Sequence, residues 1–250
     1  MVEISNLSGG YHKHDVVHNV TLNLPNGEIT AVIGRNGCGK STLLQLICGQ
    51  IAKSAGDIIL SGQNISDLTR TEIAKRISYL PQSRSVPDIN VAALVLHGRF
   101  PWLGYPRVYT PHDRNIAEEA MEHAGVTAHR KKSLAALSGG ERQKVYIAML
   151  LAQDADATLL DEPTTYLDIE HQLELTDILK GLKERGKAVA VVLHDLNSAM
   201  NTADKIAVMR SGKLIAMDSP QEIARSGVLD DTFGVSIRYD GNTLHYEKRQ

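Results

Sequence analysis

At 250 residues, with 42% hydrophobic and 22% charged side chains, the chain has the make-up of one large or two small folded domains, which excludes disordered, collagen-like and coiled-coil classes. Lys+Arg of 27 against Asp+Glu of 29 gives a net charge of -2, so no bulk positive field would hold a nucleic acid, and none is expected as a partner. Cys38 and Cys48 make no disulfide framework, the start (Met1-Val2-Glu3-Ile4) lacks the basic and apolar stretches of a signal peptide, and no apolar run approaches the roughly 18 residues of a membrane span, so a reducing cytosol is the expected setting.

In chain order, apolar runs rich in β-branched residues occur at Ile29 to Ile33, Ile58 to Leu60, Ile77 to Leu80, Ala157 to Leu160, Ala188 to Leu193 and Ile206 to Met209. Several lack alternation, as strands covered on both faces do. Helical patterns lie between many of them, including Ser41 to Cys48 and Ile169 to Leu182, the latter placing Ile169, Leu173, Ile178 and Leu182 near one face. This is the grammar of a layered α/β sheet. From about Asp88 to Gln153 only helix signals appear (Asn90 to Leu96, Pro111 to His123, Gly140 to Ala152), which predicts a helical subdomain inserted into the sheet domain. In the tail, Asp240-Gly241 between two β-prone triplets predicts a hairpin with a two-residue turn.

The run Gly34-Arg35-Asn36-Gly37-Cys38-Gly39-Lys40-Ser41 follows a predicted strand and opens a predicted helix, with the spacing G-x-x-x-x-G-K-S. Glycines let backbone N–H groups turn inward around phosphate oxygens, and the helix N-terminus adds partial positive charge. Lys40 would reach the outer phosphates, and Ser41 would bind Mg²⁺. Asp161 and Glu162 close the run Thr158-Leu159-Leu160 at the carboxyl end of a buried strand, where open α/β sheets bind ligands. Asp161 suits a direct or outer-sphere grip on Mg²⁺. Glu162 suits polarising a water for attack on a γ-phosphate. Paired with the phosphate loop, they make an NTP-hydrolysis site.

Ser138, with Glu141 three residues on, fits a capping box, while the bare turn Ser138-Gly139-Gly140 at a helix start could also bind an anion. Leu137-Ser138-Gly139-Gly140-Glu141-Arg142-Gln143 ahead of Leu159-Leu160-Asp161-Glu162-Pro163 resembles the signature and Mg²⁺-site motifs of ABC-type ATPase subunits. The resemblance implies one ABC-type ATP-binding domain over 1–250: a P-loop NTPase (RecA-like) layered sheet core at about 1–87 and 154–250, an antiparallel β region near the N-terminus, and a helical subdomain at about 88–153.

It further implies that Tyr11 stacks on adenine, that Asn36 and Thr42 join the loop residues around ATP, and that Gln82, in Tyr79-Leu80-Pro81-Gln82, contacts Mg²⁺ or the attacking water. Thr165-Tyr166-Leu167-Asp168 resembles the loop between subunits, and His194, alone among ten histidines, resembles the switch residue that touches the γ-phosphate. Two copies would face head to tail, each ATP lying between one copy's phosphate loop and the other's Ser138-Gly139-Gly140. Membrane permease subunits, and indirectly an extracytoplasmic binding protein, are the implied partners, with the chain peripheral on the cytoplasmic face of the membrane.

A long-coiled-coil or tandem-cassette repair ATPase does not fit one phosphate loop in 250 residues, and a P-loop kinase has no use for the signature run. Among transporters, Asp161 to Ile169 followed by His171-Gln172, Gly98-Arg99-Phe100-Pro101, and Val192 to Asn197 resemble ATPase subunits of importers for iron-siderophore, haem and cobalamin chelates; phosphate, molybdate or lipid importers are the alternative. Arg35, where proline is more usual, and Glu141, where glutamine is common, depart from that pattern. Gln82, Ser83, Arg84 and the stretch Arg99 to Tyr105 form the expected permease-facing patch, unless its aromatics serve to pin the insertion to the sheet. Cys38 beside Lys40 is either a reactive thiol or an inert filler, and Cys48 is expected to be buried and silent.

Overall fold

The computed structural model describes every residue except Lys13, Tyr166, Asn242, Arg249 and Gln250. Near the start come β1 (Val2–Tyr11), β2 (His14–Leu24) and β3 (Ile29–Ile33), then α1 (Lys40–Ile47), β4 (Lys53–Leu60), β5 (Gln63–Asn64), α2 (Arg70–Arg76) and β6 (Ile77–Leu80). Next are α3 (Val91–His97), α4 (Pro111–His123) and α5 (Gly139–Gln153), with no strand among the described residues between β6 and β7 (Ala157–Asp161). The chain continues through α6 (Ile169–Glu184), β8 (Ala188–Val192), α7 (Leu196–Thr202), β9 (Lys205–Arg210), β10 (Lys213–Asp218), α8 (Pro220–Arg225) and α9 (Val228–Phe233), and closes on β11 (Val235–Tyr239) and β12 (Leu244–Lys248).

A six-stranded sheet of order β10-β9-β3-β8-β7-β6 forms the centre. Its strands β9, β3, β8, β7 and β6 run parallel, and β10 is an antiparallel edge. Every residue of β3, β7 and β8 is buried, which explains their unbroken apolar sequences. Strand alternation sends Ile29, Ala31 and Ile33 to one face and Val32 to the other. The first face packs on the helices α3 to α7, and the second on α1. Beyond α1 lies an antiparallel sheet, β2-β1-β4-β5, so α1 is held between two sheets by Leu43, Leu44, Leu46 and Ile47.

Capping boxes start three of the helices: Thr69 with Glu72 at α2, Thr110 with Asp113 at α4, and Ser138 with Glu141 at α5. At α4, Asp113 also receives Arg99 Nε at 3.1 Å, and Arg99 donates a second bond to the Ala152 carbonyl at 3.0 Å. Both side chains of this pair are buried, and together they clamp the end of α3, the start of α4 and the end of α5.

The apolar face of α6 is covered only in part, and one expectation fails. On α6 the buried residues are Leu175, Leu179 and Leu182, whereas Ile169 is 77% and Leu173 62% exposed. The first turns of α6 run past the apolar floor, so only its later turns have a surface to cover. The tail does form a hairpin, but its last pair is Tyr239 with Leu244, which leaves a four-residue connection at 240–243. Asp240 Oδ1 accepts the Thr243 N–H at 2.8 Å, so the aspartate closes a longer loop with its side chain. Among the described residues, no helix is long and apolar enough to cross a membrane.

Candidate active site

The carboxyl ends of β3, β6, β7 and β8 lie on one edge of the central sheet, and the loops that leave them supply the site. After Ile33 the chain enters the phosphate loop at Gly34, where φ is 151° and an added Cβ would lie 2.3 Å from the Met209 carbonyl oxygen. Gly39, at φ 102°, is the N-cap of α1, a left-handed turn that costs a glycine nothing and leaves the first N–H groups of the helix facing outward. Lys40 is buried and donates from Nζ to the carbonyls of Gly34 at 2.9 Å and Arg35 at 3.2 Å.

Glu162 follows β7 with φ 51°, a conformation that costs a non-glycine residue about 1–2 kcal/mol. The twist turns its side chain across the loop's mouth. There Oε1 meets His194 Nε2 at 2.5 Å, and Oε2 accepts the Gln82 side-chain amide at 2.5 Å. Asp161, one residue earlier and 2% exposed, points beneath: Oδ1 accepts the Ser41 hydroxyl at 3.0 Å and Oδ2 the Tyr79 hydroxyl at 3.4 Å. Burial pushes the Asp161 carboxyl above its ordinary value, with the Glu162 charge adding to the rise and the Ser41 bond opposing it.

These groups surround a cavity of about 400 Å³. Tyr11, Asn36, Gly37, Gly39, Lys40, Ser41, Thr42, Gln82, Glu162 and His194 line it, ten of the residues singled out from sequence, with Val16 added from β2. Gly34, Cys38 and Asp161, next to it in the loop and under it, do not line it, and neither do Ser138, Gly139, Gly140 and Asp168. Ser138 Oγ accepts the Glu141 N–H at 3.2 Å while Glu141 Oε2 accepts the Ser138 N–H at 2.7 Å, and the other Glu141 oxygen meets His129 Nε2 at 3.2 Å. Asp168 caps α6, accepting the His171 N–H at 3.0 Å, and this bond and the His171 ring hold its carboxyl below the ordinary range. Tyr166, from the same run, lies outside the described residues. A separate cavity of about 360 Å³ between α5 and α6, floored by Ile147, Leu151 and Leu175, contains none of the expected site residues.

The reactive reading of Cys38 is not supported. Its side chain packs in the apolar cluster beneath α1, and burial pushes the thiol up more than the Lys40 charge pulls it down. Cys38 therefore offers the loop its backbone alone. Cys48 is half-buried and pushed up to about 11 by burial. Sequence reasoning gave no role to Tyr79, whose hydroxyl reaches Asp161, or to Gln45, whose Oε1 accepts the Tyr11 hydroxyl at 2.5 Å. The signals were there: Tyr79 pairs beside β7 at the sheet's carboxyl edge, and Gln45 is a polar residue between Leu44 and Leu46.

A family model described as ABC transporter matches residues 17–165. The chain is 40% identical over 231 residues to the ferric enterobactin transport ATP-binding protein FepC of Escherichia coli (strain K12), covering 92% of this chain and 85% of that protein. Among solved structures, a chain from one described as an inward-facing metal-chelate type ABC transporter is similar, with a TM-score of 0.80, 27% identity, and coverage of 98% of this chain and 95% of that one. A dimeric post-hydrolysis state of the ATP-binding cassette MJ0796 bound to ADP and Pi is similar with a TM-score of 0.78 and 27% identity, covering 88% of this chain and 99% of that one.

Proposed function

The chain belongs to the ABC transporter family, as an ATP-hydrolysing subunit, and on that premise we propose that it drives import of a metal chelate, of the iron-siderophore, haem or cobalamin class, through a separate membrane permease. The observation that carries the hydrolytic part is the Glu162 carboxylate, held by His194 and Gln82 across the mouth of the phosphate loop. The cargo class rests on the likeness to a ferric enterobactin transport protein and to a metal-chelate type transporter.

The roles follow from position. Asn36, Gly37, Gly39 and Thr42 cradle the phosphates through loop and helix N–H groups, to which Gly34 and Cys38 contribute backbone shape. Lys40 supplies fixed positive charge to the outer phosphates. Tyr11, which lines the cavity from the end of β1, offers its ring to the adenine. Glu162 accepts a proton from the attacking water, work that contributes typically 10²–10⁴-fold to a rate. His194 and Gln82 hold that carboxylate in place, and Gln82 also begins the segment that leads into the helical subdomain at about 88–153. Ser41 and Asp161 are hard oxygen donors, and a buried carboxylate pushed up in pKa gains from a cation beside it, so the pair fits Mg²⁺. Mg²⁺, when bound, would neutralise charge on the phosphates.

Ser138, Gly139, Gly140 and Asp168 stay outside the cavity of one chain, which supports a site completed by a second copy: the α5 N-terminus of one subunit facing the phosphate loop of the other. ATP bridging two subunits stabilises their closed form, and loss of the γ-phosphate releases it. Phe100, Trp102 and Tyr105 are exposed and provide an aromatic patch for a permease, and with it a peripheral place on the cytoplasmic face of the membrane. Affinity capture of the chain from its native membranes in mild detergent tests this. The expected companion is an integral membrane protein of many apolar helices. Recovery of soluble proteins or nucleic acid alone would overturn the transport reading.

A further inference from the structure

A closed ring of contacts ties the Glu162 carboxylate to α5. Gln82 donates to Glu162 Oε2 at 2.5 Å. Two residues on, Arg84 donates from Nη2 to Gln143 Oε1 at 2.5 Å, and its guanidinium lies over the Tyr146 ring, 4.2 Å from the ring centre. Gln143 Nε2 donates to the Pro163 carbonyl at 2.8 Å, and Pro163 directly follows Glu162. Gln143 and Tyr146 are both buried on α5, at 7% and 8% exposure, and the Tyr146 hydroxyl donates to the Ser85 carbonyl at 3.2 Å. The ring therefore joins the loop after β6, the turn after β7 and the helix that Ser138 caps.

Chemistry fixes the direction of each bond. An arginine only donates and a carbonyl only accepts, so the Gln143 amide has one orientation, with its oxygen toward Arg84 and its nitrogen toward Pro163. Proline has no N–H, which makes its carbonyl the one backbone polar group by which that residue can be held. Glu162 sits at φ 51°, and backbone strain of this kind persists where neighbouring groups over-determine it. Gln143 supplies two such constraints from one side chain. It pins the residue that follows Glu162, and through Arg84 it pins the loop whose Gln82 holds the carboxylate. Packing alone would not ask for an amide here, since a buried methionine fills the same space without the cost of desolvating one.

We propose that Gln143 is a positioning residue for hydrolysis, holding Glu162 from two sides, through Pro163 and through Arg84 and Gln82. The carboxylate that takes the proton from water is thereby set by reference to α5. The inference rests on the hydrolytic reading of Glu162 given above. Gln143, Arg84 and Pro163 do not line the cavity at the phosphate loop, so their bonds bear on the chemical step and not on nucleotide affinity.

The test is single-turnover hydrolysis of radiolabelled ATP by the full chain in excess, below the melting temperature of every variant, beside a fluorescent-nucleotide titration. Gln143→Met keeps the volume and removes both bonds; its hydrolysis rate should fall about tenfold, on the scale of one or two hydrogen bonds, with nucleotide affinity unchanged. Gln143→Glu keeps an acceptor for Arg84 and loses only the donor to Pro163, so it should lose less, and it carries the test if the methionine variant does not fold. Arg84→Met should slow hydrolysis about threefold to tenfold in the parent and add nothing in Gln82→Ala, where the route it serves is already cut. A merely structural Gln143 would lower the melting temperature and leave the rate per folded molecule alone. Parental rates in both Gln143 variants, or an equal loss from Arg84→Met in both backgrounds, would overturn the proposal. A parental rate in Glu162→Gln would instead overturn the hydrolytic reading, and this inference with it.

Discussion

His194 Nε2 lies 2.5 Å from Glu162 Oε1, a short polar contact between residues that leave two adjacent parallel strands, β8 and β7. The left-handed backbone at Glu162 makes the meeting possible, and such strain persists where surrounding structure over-determines it. Replacing Glu162 by Gln keeps the shape and removes the base. We predict that Glu162→Gln binds MgATP, loses at least about 100-fold in turnover, and elutes as a dimer with MgATP. A monomeric elution under those conditions counts against closure around two nucleotides.

Lys40 braces the loop through the Gly34 and Arg35 carbonyls, and in the function proposed above it also meets phosphate charge. Charge-assisted hydrogen bonds are worth about 1.5–3 kcal/mol. Lys40→Ala should therefore weaken nucleotide affinity by about tenfold to a hundredfold, as read from a fluorescent-nucleotide titration, while ordinary affinity in this variant would show that the lysine's charge is not used.

The Arg99–Asp113 pair, with side chains only 7% and 8% exposed, holds three helices together away from the site. Arg99→Met should cost about 3–5 kcal/mol in urea unfolding at neutral pH, because it leaves a buried carboxylate short of its partner. Thr110 hydrogen bonds, with help from Arg99, hold the Asp113 carboxyl at about 2, below its unfolded value of 3.8. Because the folded value is depressed, the stability it contributes is present above about 3.8 and is lost as pH falls toward 2. The stability gap between the parent and Asp113→Asn should accordingly narrow below about pH 4, and a gap constant down to pH 2 would contradict this.

Burial pushes both thiols up, so in the folded protein Cys38 and Cys48 should react with maleimide at neutral pH far more slowly than in urea. MgATP should change the rate little. Rapid labelling of Cys38 with protection by MgATP would restore the reactive thiol.

How far the residues announce the fold differs from element to element. The strands β3, β7 and β8 stand out because burial on both faces leaves an apolar run, and the phosphate loop because its glycines sit directly after one of them. β1 and β2 are hidden by irregularity: their pairing shifts register at several points, and Asn6 and Asn19 take left-handed conformations, so no clean alternation survives. The helical period of α6 is real, but which residues of it meet the core depends on where the floor beneath it ends, and no local pattern records that. The same holds for Tyr11 and Gln45, whose hydrogen bond depends on how a helix sits against a sheet.

The central claim is that ATP hydrolysis by this chain powers entry of a metal chelate. Uptake of radiolabelled ferric siderophores, haem and cobalamin into host cells carrying either the parent chain or Glu162→Gln tests it most directly. The account predicts that at least one of these chelates enters with the parent and fails to enter with the variant. Equal uptake of all of them in both strains would contradict it.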